Sequence, residues 1–440
     1  MDLEPASARS GEPTSAPTTI AVIGAGAAGL MAAIFAAGGP RRAGPEGHAA
    51  ASAAGGKRVL LLERTHEGGK KILMSGGGRC NVLPSELDPS RYVTASSPNT
   101  MKKILLSWPL REQRRFFEET LGMPLALEEE TGKLFPISNR ARDVRDRLRA
   151  LAESLGVEVR CDSHVTDLEP LDGRWRVHLD GGVIDSSAVI LATGGLSVPA
   201  TGSDGTGLDI VRRLGHTIHD VYPALTPLTA RPHRYAGLSG VSLPVTIVAA
   251  GVKPRLATHG GFLFTHKGYS GPAVLNVSHL AILSKRRGGP RQEFQVQWTP
   301  LDAEAWERAL RGGDGTVGGL MRRHLPVRLV EALLEDTQVD AAVPLAQLDR
   351  ESRRRVVDAL TRHPLPWTSD EGYAKAEVTG GGVALGEVDP RTLESRLRPG
   401  LYLCGEILDA FGPIGGYNFA WAWATGRAAG TAASRATTKA

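Results

Sequence analysis

The chain has 440 residues, a formal net charge of +5 and three cysteines, with 41% hydrophobic and 22% charged residues. That length exceeds what one ordinary core serves, so two or three domains of a globular protein are expected. Cys80, Cys161 and Cys404 stand far apart without a C-x-x-C pair, which argues against a disulfide framework or structural zinc site and suits a reducing cytoplasm.

Residues 1–18, MDLEPASARSGEPTSAPT, lack an apolar stretch long enough for a signal-peptide core and read as a disordered tail. No run in the chain approaches the roughly 20 apolar residues of a membrane helix. The tail gives way to TTIAVIGAGAAGLMAAIFAA. Thr19 to Ile23 predicts a strand, Gly24-x-Gly26-x-x-Gly29 a tight turn, and Leu30 to Ala37 a helix of small and apolar residues. That order is the dinucleotide fingerprint: Gly24 makes the turn, Gly26 lets backbone approach a pyrophosphate, and Gly29 lets the helix lie close on the strand. The segment Gly24, Gly26, Ala27, Ala28 and Gly29 therefore supplies the first candidate cofactor contacts.

The fingerprint also requires an acidic residue ending the next strand, roughly 20 residues beyond the glycines, to hydrogen-bond a ribose. KRVLLLER predicts that strand and Glu63 its end, but at a longer spacing. The excess lies in residues 38–57, GGPRRAGPEGHAAASAAGGK, which read as a surface insertion. After HEGGKKILM comes SGGGRCN, Ser75 to Asn81. Three consecutive glycines lose much entropy on folding, so they imply unusual backbone angles or close approach to something flat. At the carboxyl edge of the sheet, Gly77 and Gly78 could pass along a ring or diphosphate, with Arg79 as the counter-charge.

Downstream, Ala141 to Leu155 predicts a helix with Val144, Leu148 and Leu151 on one face, and Ala188 to Ala192 a buried strand ending in Thr193-Gly194-Gly195. From Tyr222 to Thr299 short β-patterned runs alternate with Gly and Pro turns. From Leu301 to His363 the pattern turns helical, until HPLPW breaks it. The chain becomes β-like again at AEVTGGGVAL and LYLCGE. Arginines bunch at Arg111 to Arg115, Arg140 to Arg149 and Arg353 to Arg355, and within helical periodicity they read as solvated faces rather than a nucleic-acid footprint. Gly415-Gly416-Tyr417-Asn418 opens a last helix, whose exposed amides favour negative charge. Asn418 serves equally as a helix cap. Trp421 and Trp423 point different ways around that helix and read as packing residues. His259, His266 and His279 show no metal-ligand spacing.

The segment GKKILMSGGGRCN resembles the signature of the bacterial NAD(P)/FAD-dependent oxidoreductases, which include aminoacetone oxidase-like and bile-acid enone reductase-like proteins. ATGGLSVPATGSDGTGLDIVRRLGH, YPALTPL, GLSGVSL, AEVTGGGVALGEV and LYLCGEILDAFGPIGGYNFAWAWATG are similar to family landmarks in family order. The resemblance covers Ile20 to about Gly430. It implies an α/β fold, a Rossmann-like two-part FAD-binding domain over residues 19–204 and 367–440, with an inserted β-rich domain at 205–300 and a small helical domain at 301–366.

It further implies non-covalent FAD held by Lys71, Gly77, Gly78, Arg79, Cys80, Val165, Thr193, Gly194, Gly195, Gly405, Glu406, Gly415, Gly416, Tyr417 and Asn418, besides the fingerprint residues and Glu63. Cys80 has no partner cysteine nearby and serves equally as a packing residue. One departure concerns Asp409-Ala410-Phe411-Gly412, where the family pattern is DVDG; this bears on substrate rather than flavin. The implied activity is hydride transfer from NAD(P)H, a transient donor, through flavin to a small organic acceptor. An amine or aminoketone oxidase using oxygen, a flavin-containing RNA-binding or RNA-modifying protein, and a non-catalytic flavoprotein are the rival readings. No nucleic-acid or membrane partner is expected, and the oligomeric state is not legible.

Overall fold

A computed structural model describes residues 18–40 and 57–439. Residues 1–17 of the expected tail and 41–56 of the expected insertion lie outside the described residues. Thr18 and Lys57, assigned to those segments above, instead open two paired strands.

Five parallel strands form the central sheet, in the order Leu401–Leu403, Ala188–Leu191, Thr18–Ile23, Lys57–Leu62 and Glu158–Arg160. Ala188–Leu191 and Leu401–Leu403 are buried at every position, as strands covered on both faces must be. The fingerprint helix, Ala27–Ala36, packs against the terminal helix Tyr417–Lys439. Glycines set that spacing. A Cβ on Gly426 would stand 2.3 Å from the Ala28 carbonyl oxygen, and one on Gly430 would stand 2.2 Å from that of Ala32. Any larger residue would force the helices apart.

The helix Ala141–Ser154 buries Val144 and Leu148, as its spacing predicts. Arg145 departs from the expected solvated face. Its side chain is only 7% exposed and pairs with Glu67 and Asp146, while its Nη1 donates to the Gly68 carbonyl at 3.3 Å. It braces the turn that leads into the SGGG segment.

A second, seven-stranded sheet is built from residues 228–370, with Ser242–Ala249 and Leu256–Phe264 as its long central hairpin. The β-patterned stretch also contains a 15-residue helix, Pro272–Arg286, that its periodicity did not announce. Apolar residues occupy most of its faces, Val274, Val277, Ala281 and Ile282 among the buried ones, so the 3.6-residue contrast disappears. Pro272 at its first turn is the local signal.

The helical stretch does not stand apart from this sheet. Trp298, Trp306, Leu310, Leu333 and Val356 share one core with Ile247 and Phe262. His363–Pro364 then returns to pair with Phe294–Gln297. The helix Thr206–Arg213 belongs with the nucleotide sheet instead, since Leu208, Ile210 and Val211 join that core. Ile218–Ala224 and Val378–Val383 pair antiparallel where the chain leaves and re-enters that part. Among the described residues no helix is long and apolar enough to cross a membrane.

Candidate cofactor and active site

A cavity of about 510 Å³ opens along the carboxyl ends of the parallel strands. Its first wall is the fingerprint turn. Gly24 has φ +99°, donates its amide to the Leu62 carbonyl at 2.7 Å, and leaves no room for a Cβ, which would fall 2.6 Å from the Ala192 carbonyl oxygen. Gly29 is pressed harder, with a Cβ position 1.7 Å from the Gly24 carbonyl oxygen. Gly26 differs: no protein atom lies within 4 Å of its Cβ position, and it faces the cavity. Two glycines therefore close the turn, and the third keeps space for a ligand.

Glu63 lies beside them, 7% exposed. Its Oε2 accepts from the Ala25 amide at 2.7 Å, and its Oε1 accepts from the Thr65 amide and hydroxyl at 2.8 and 2.7 Å. Oε2 retains capacity for one further donor, which suits a ribose hydroxyl. The carboxylate also ties the glycine turn to the end of the second strand.

The SGGG question is answered by the backbone. Gly76, Gly77 and Gly78 have φ of +57°, +67° and +85°, three successive left-handed residues that only glycine adopts cheaply. Gly76 and Gly77 line the cavity, and nothing lies within 4 Å of the Gly77 Cβ position. Arg79 does not supply the expected counter-charge there. Its guanidinium lies 4.0 Å over the Phe135 ring, with Nη1 donating to Glu128 at 3.1 Å. Cys80 is fully buried behind the loop, and burial pushes its thiol up to about 12 despite the Ser75 hydroxyl beside it. It packs rather than reacts.

Midway along the cavity Glu406 gathers three partners. It accepts from Lys71 Nζ at 2.8 Å, Ser197 Oγ at 2.6 Å and the Thr379 amide at 3.0 Å. Burial alone would raise its carboxyl pKa, but the Lys71 charge and these hydrogen bonds outweigh it and hold the group below the usual range. Lys71 also donates to Ser197 at 2.6 Å, so the two charges are satisfied mainly by protein. Thr379 Oγ1 accepts from the Leu196 and Ser197 amides and fills the space where a Gly195 Cβ would go, 2.4 Å away.

The far wall is the start of the terminal helix. Gly415 and Gly416 have φ of +121° and +92°. The first-turn amides that follow have no intrahelical acceptor. Asn418 does not cap its own helix: its side chain accepts from the Gly412 amide and donates to the Gly412 carbonyl, both at 2.9 Å. Trp421 donates to the Gly405 carbonyl at 3.0 Å and Trp423 to that of Val82 at 3.0 Å, so both indoles pack and only Trp421 reaches the cavity.

In the departing tetrapeptide, Asp409 is 1% exposed. It accepts from Thr94 Oγ1, Ser96 Oγ and the Ala95 and Ser96 amides at 2.7–3.0 Å, which anchors that loop. Phe411 lines the cavity and meets Tyr222 and His279 edge to face.

Of the sequence candidates, Gly24, Gly26, Ala27, Ala28, Glu63, Lys71, Gly77, Val165, Thr193, Gly194, Gly405, Glu406, Gly415, Gly416 and Asn418 meet on one cavity. Gly29, Gly78, Arg79, Cys80, Gly195 and Tyr417 lie off its wall. Tyr417 instead accepts from Arg91 at 2.7 Å. The sequence did not single out Arg64, Asp204, Ile414 or Glu377, which also line the cavity, whereas Phe411 of the departing tetrapeptide does reach it. Among the described residues no cluster of His, Cys, Asp or Glu could hold a metal ion. The open spaces over Gly26 and Gly77, the spare acceptor on Glu63 and the free helix amides near Gly416 fit an adenine dinucleotide carrying a flavin.

The HI0933-like protein Rossmann domain family matches residues 18–432. The ribosomal RNA dihydrouridine synthase of Escherichia coli (strain K12) is 32% identical over 80% of this chain and 86% of its own length. The 3-dehydro-bile acid delta(4,6)-reductase of Clostridium scindens is 32% identical over 82% of this chain and 88% of its own. The ribosomal RNA dihydrouridine synthase of Haemophilus influenzae is 31% identical over 82% and 89%. The chain thus belongs to the HI0933-like Rossmann family, the FAD-dependent oxidoreductases that its motifs resemble.

Proposed function

We propose that this protein is an FAD-dependent reductase that saturates a carbon–carbon double bond conjugated to a carbonyl, with NAD(P)H as a transient electron donor. The observation that carries the reading is the single cavity joining the dinucleotide turn and Glu63 to the Gly415–Gly416 helix start, beside an apolar wall of Phe411 and Ile414. Bound FAD would supply two-electron chemistry at its ring. The chain's own residues would hold it: Gly26 and Gly77 by leaving space, Glu63 at the ribose, and the helix amides at the electron-rich edge of the ring. Phe411 and Ile414 would exclude water from the substrate side.

The relatives' names support the reaction class. A delta(4,6)-reductase acting on a 3-dehydro bile acid and a dihydrouridine synthase both saturate ring double bonds conjugated to a carbonyl. The dihydrouridine synthases favour a second reading of the substrate, a uracil base within RNA. Both readings share the reductive half-reaction.

Visible spectra recorded anaerobically test the proposal. Flavin bands should bleach with NADH or NADPH and return on adding a conjugated enone or a uridine-containing ribosomal RNA fragment. RNA affinity that falls steeply with salt would select the second reading. Bleaching by amines but not by reduced nicotinamides would replace the proposal with the oxidase reading.

A further inference from the structure

Four carboxylates line the cavity: Glu63, Asp204, Glu377 and Glu406. Three are engaged. Ala25 and Thr65 hold Glu63, Arg64 and Thr206 hold Asp204, and Lys71, Ser197 and Thr379 hold Glu406. Glu377 alone of the four has no hydrogen-bond or ion-pair partner among the described residues. It follows buried Ala376 and precedes buried Val378, and its amide donates to the Leu225 carbonyl at 3.1 Å, so its backbone is fixed while its side chain opens into the cavity.

Its position along the cavity follows from Lys133. The Lys133 side chain lies 3.7 Å from the Gly415 Cβ position, and the same lysine is the charge that acts on Glu377. Glu377 thus stands at the Gly415 end, the end that would face the flavin ring. Glu377 itself is exposed to the open cavity, yet the protein around it partly desolvates its carboxyl and raises the pKa, and the Lys133 charge opposes this only in part. Lys375 on its own segment is the other charge on this wall.

We infer that Glu377 is the proton donor of the reductive reaction, delivering H⁺ to the α-carbon of the conjugated double bond. The inference rests on the reductase reading above. In the step, bound flavin reduced by NAD(P)H would supply the hydride that forms the new C–H bond at the β-carbon. The π pair moves toward the carbonyl, and the Glu377 O–H bond breaks as its proton passes to the α-carbon. Water then reprotonates the carboxylate. The substrate gains one hydride and one proton, and the two electrons it receives are those of that hydride, so the step balances. A carboxylic acid whose pKa is raised above its ordinary value and whose side chain has no protein partner among the described residues is suited to that role.

The test uses the holoprotein and its Glu377→Gln and Glu377→Asp variants. Glu377→Gln should keep its flavin and its rate of bleaching by NAD(P)H. Its reoxidation by 2-cyclohexenone should slow about 100-fold or more, with partial return in Glu377→Asp and unchanged reoxidation by oxygen. Independently of any substrate, infrared difference spectra recorded as pH is raised should show a carboxylic-acid C=O band that persists above the range of an ordinary glutamate and that Glu377→Gln removes. Absence of that band, loss of flavin from Glu377→Gln, or reoxidation at the unaltered rate each overturns the inference. Failure of the unaltered protein to accept electrons from NAD(P)H overturns the reductase reading instead, and the infrared result still decides the state of Glu377.

Discussion

Replacing Lys71 with methionine keeps most of the side-chain volume and removes the charge that satisfies Glu406. In the intact protein the two lie 2.8 Å apart, with 28% and 18% of their side chains exposed. Removing one partner of a fully buried pair costs about 3–5 kcal/mol. The remaining exposure and the surviving Ser197 and Thr379 hydrogen bonds reduce this, so about 2 kcal/mol is expected for Lys71→Met at neutral pH.

The pH dependence carries the sharper signature. In the folded protein the Glu406 carboxyl lies below its ordinary value, so its contribution is present above the usual carboxylate range and is lost as pH falls through the folded value. Without Lys71, burial dominates and the folded value rises above the unfolded one. The variant then carries a penalty at high pH that lifts as the group protonates. The stability gap between the two proteins should therefore be widest near neutrality and narrow as pH falls through the carboxylate range. Urea unfolding followed by the fluorescence of the buried Trp421 and Trp423 measures it. A gap independent of pH, or none at all, would refute the assignment of Lys71 as the partner that keeps Glu406 ionised.

Other changes separate packing from cofactor roles. Gly430→Val places branched bulk where a Cβ alone meets the Ala32 carbonyl oxygen at 2.2 Å, so unfolding should become easier by about 3 kcal/mol in a denaturant titration. Gly77→Val should leave a folded protein, because no protein atom lies within 4 Å, yet lower flavin content through the side chain's intrusion and a strained φ of +67°. Full flavin occupancy in that variant would show that the loop serves folding alone. Arg79→Ala should keep its flavin and lose no more than about 1 kcal/mol, since the guanidinium engages half-exposed Glu128 and the Phe135 ring. A colourless Arg79→Ala protein would restore the counter-charge role.

Much of the nucleotide part was legible because its demands are local. A strand, a glycine turn and a helix need only residues adjacent in sequence, so the strand from Thr19 to Ile23, the turn from Gly24 to Gly29 and the helix from Leu30 could be read directly, although the strand starts at Thr18 and the helix already at Ala27. The helix Pro272–Arg286 could not, because burial on several sides erased the periodic contrast that marks a helix. Arg145 was hidden for the same reason in reverse: a charged residue within a solvated pattern was drawn inward by Glu67 and the Gly68 carbonyl, 78 and 77 residues away.

The site divides along the same line. Sequence by itself determined which residue types could form the cofactor cradle, since left-handed angles and close backbone approach leave few choices but glycine. Only the tertiary structure decided which charges face the cavity. Arg79 is taken by Glu128, Lys71 by Glu406 and Asp409 by the loop at residues 94–96, each across a long separation in the chain. Glu377 is left open in the wall because no side-chain donor among the described residues comes within reach. Backbone conformation is a local property of a residue and its neighbours, whereas the partner of a charge is set by which distant segments the core draws together.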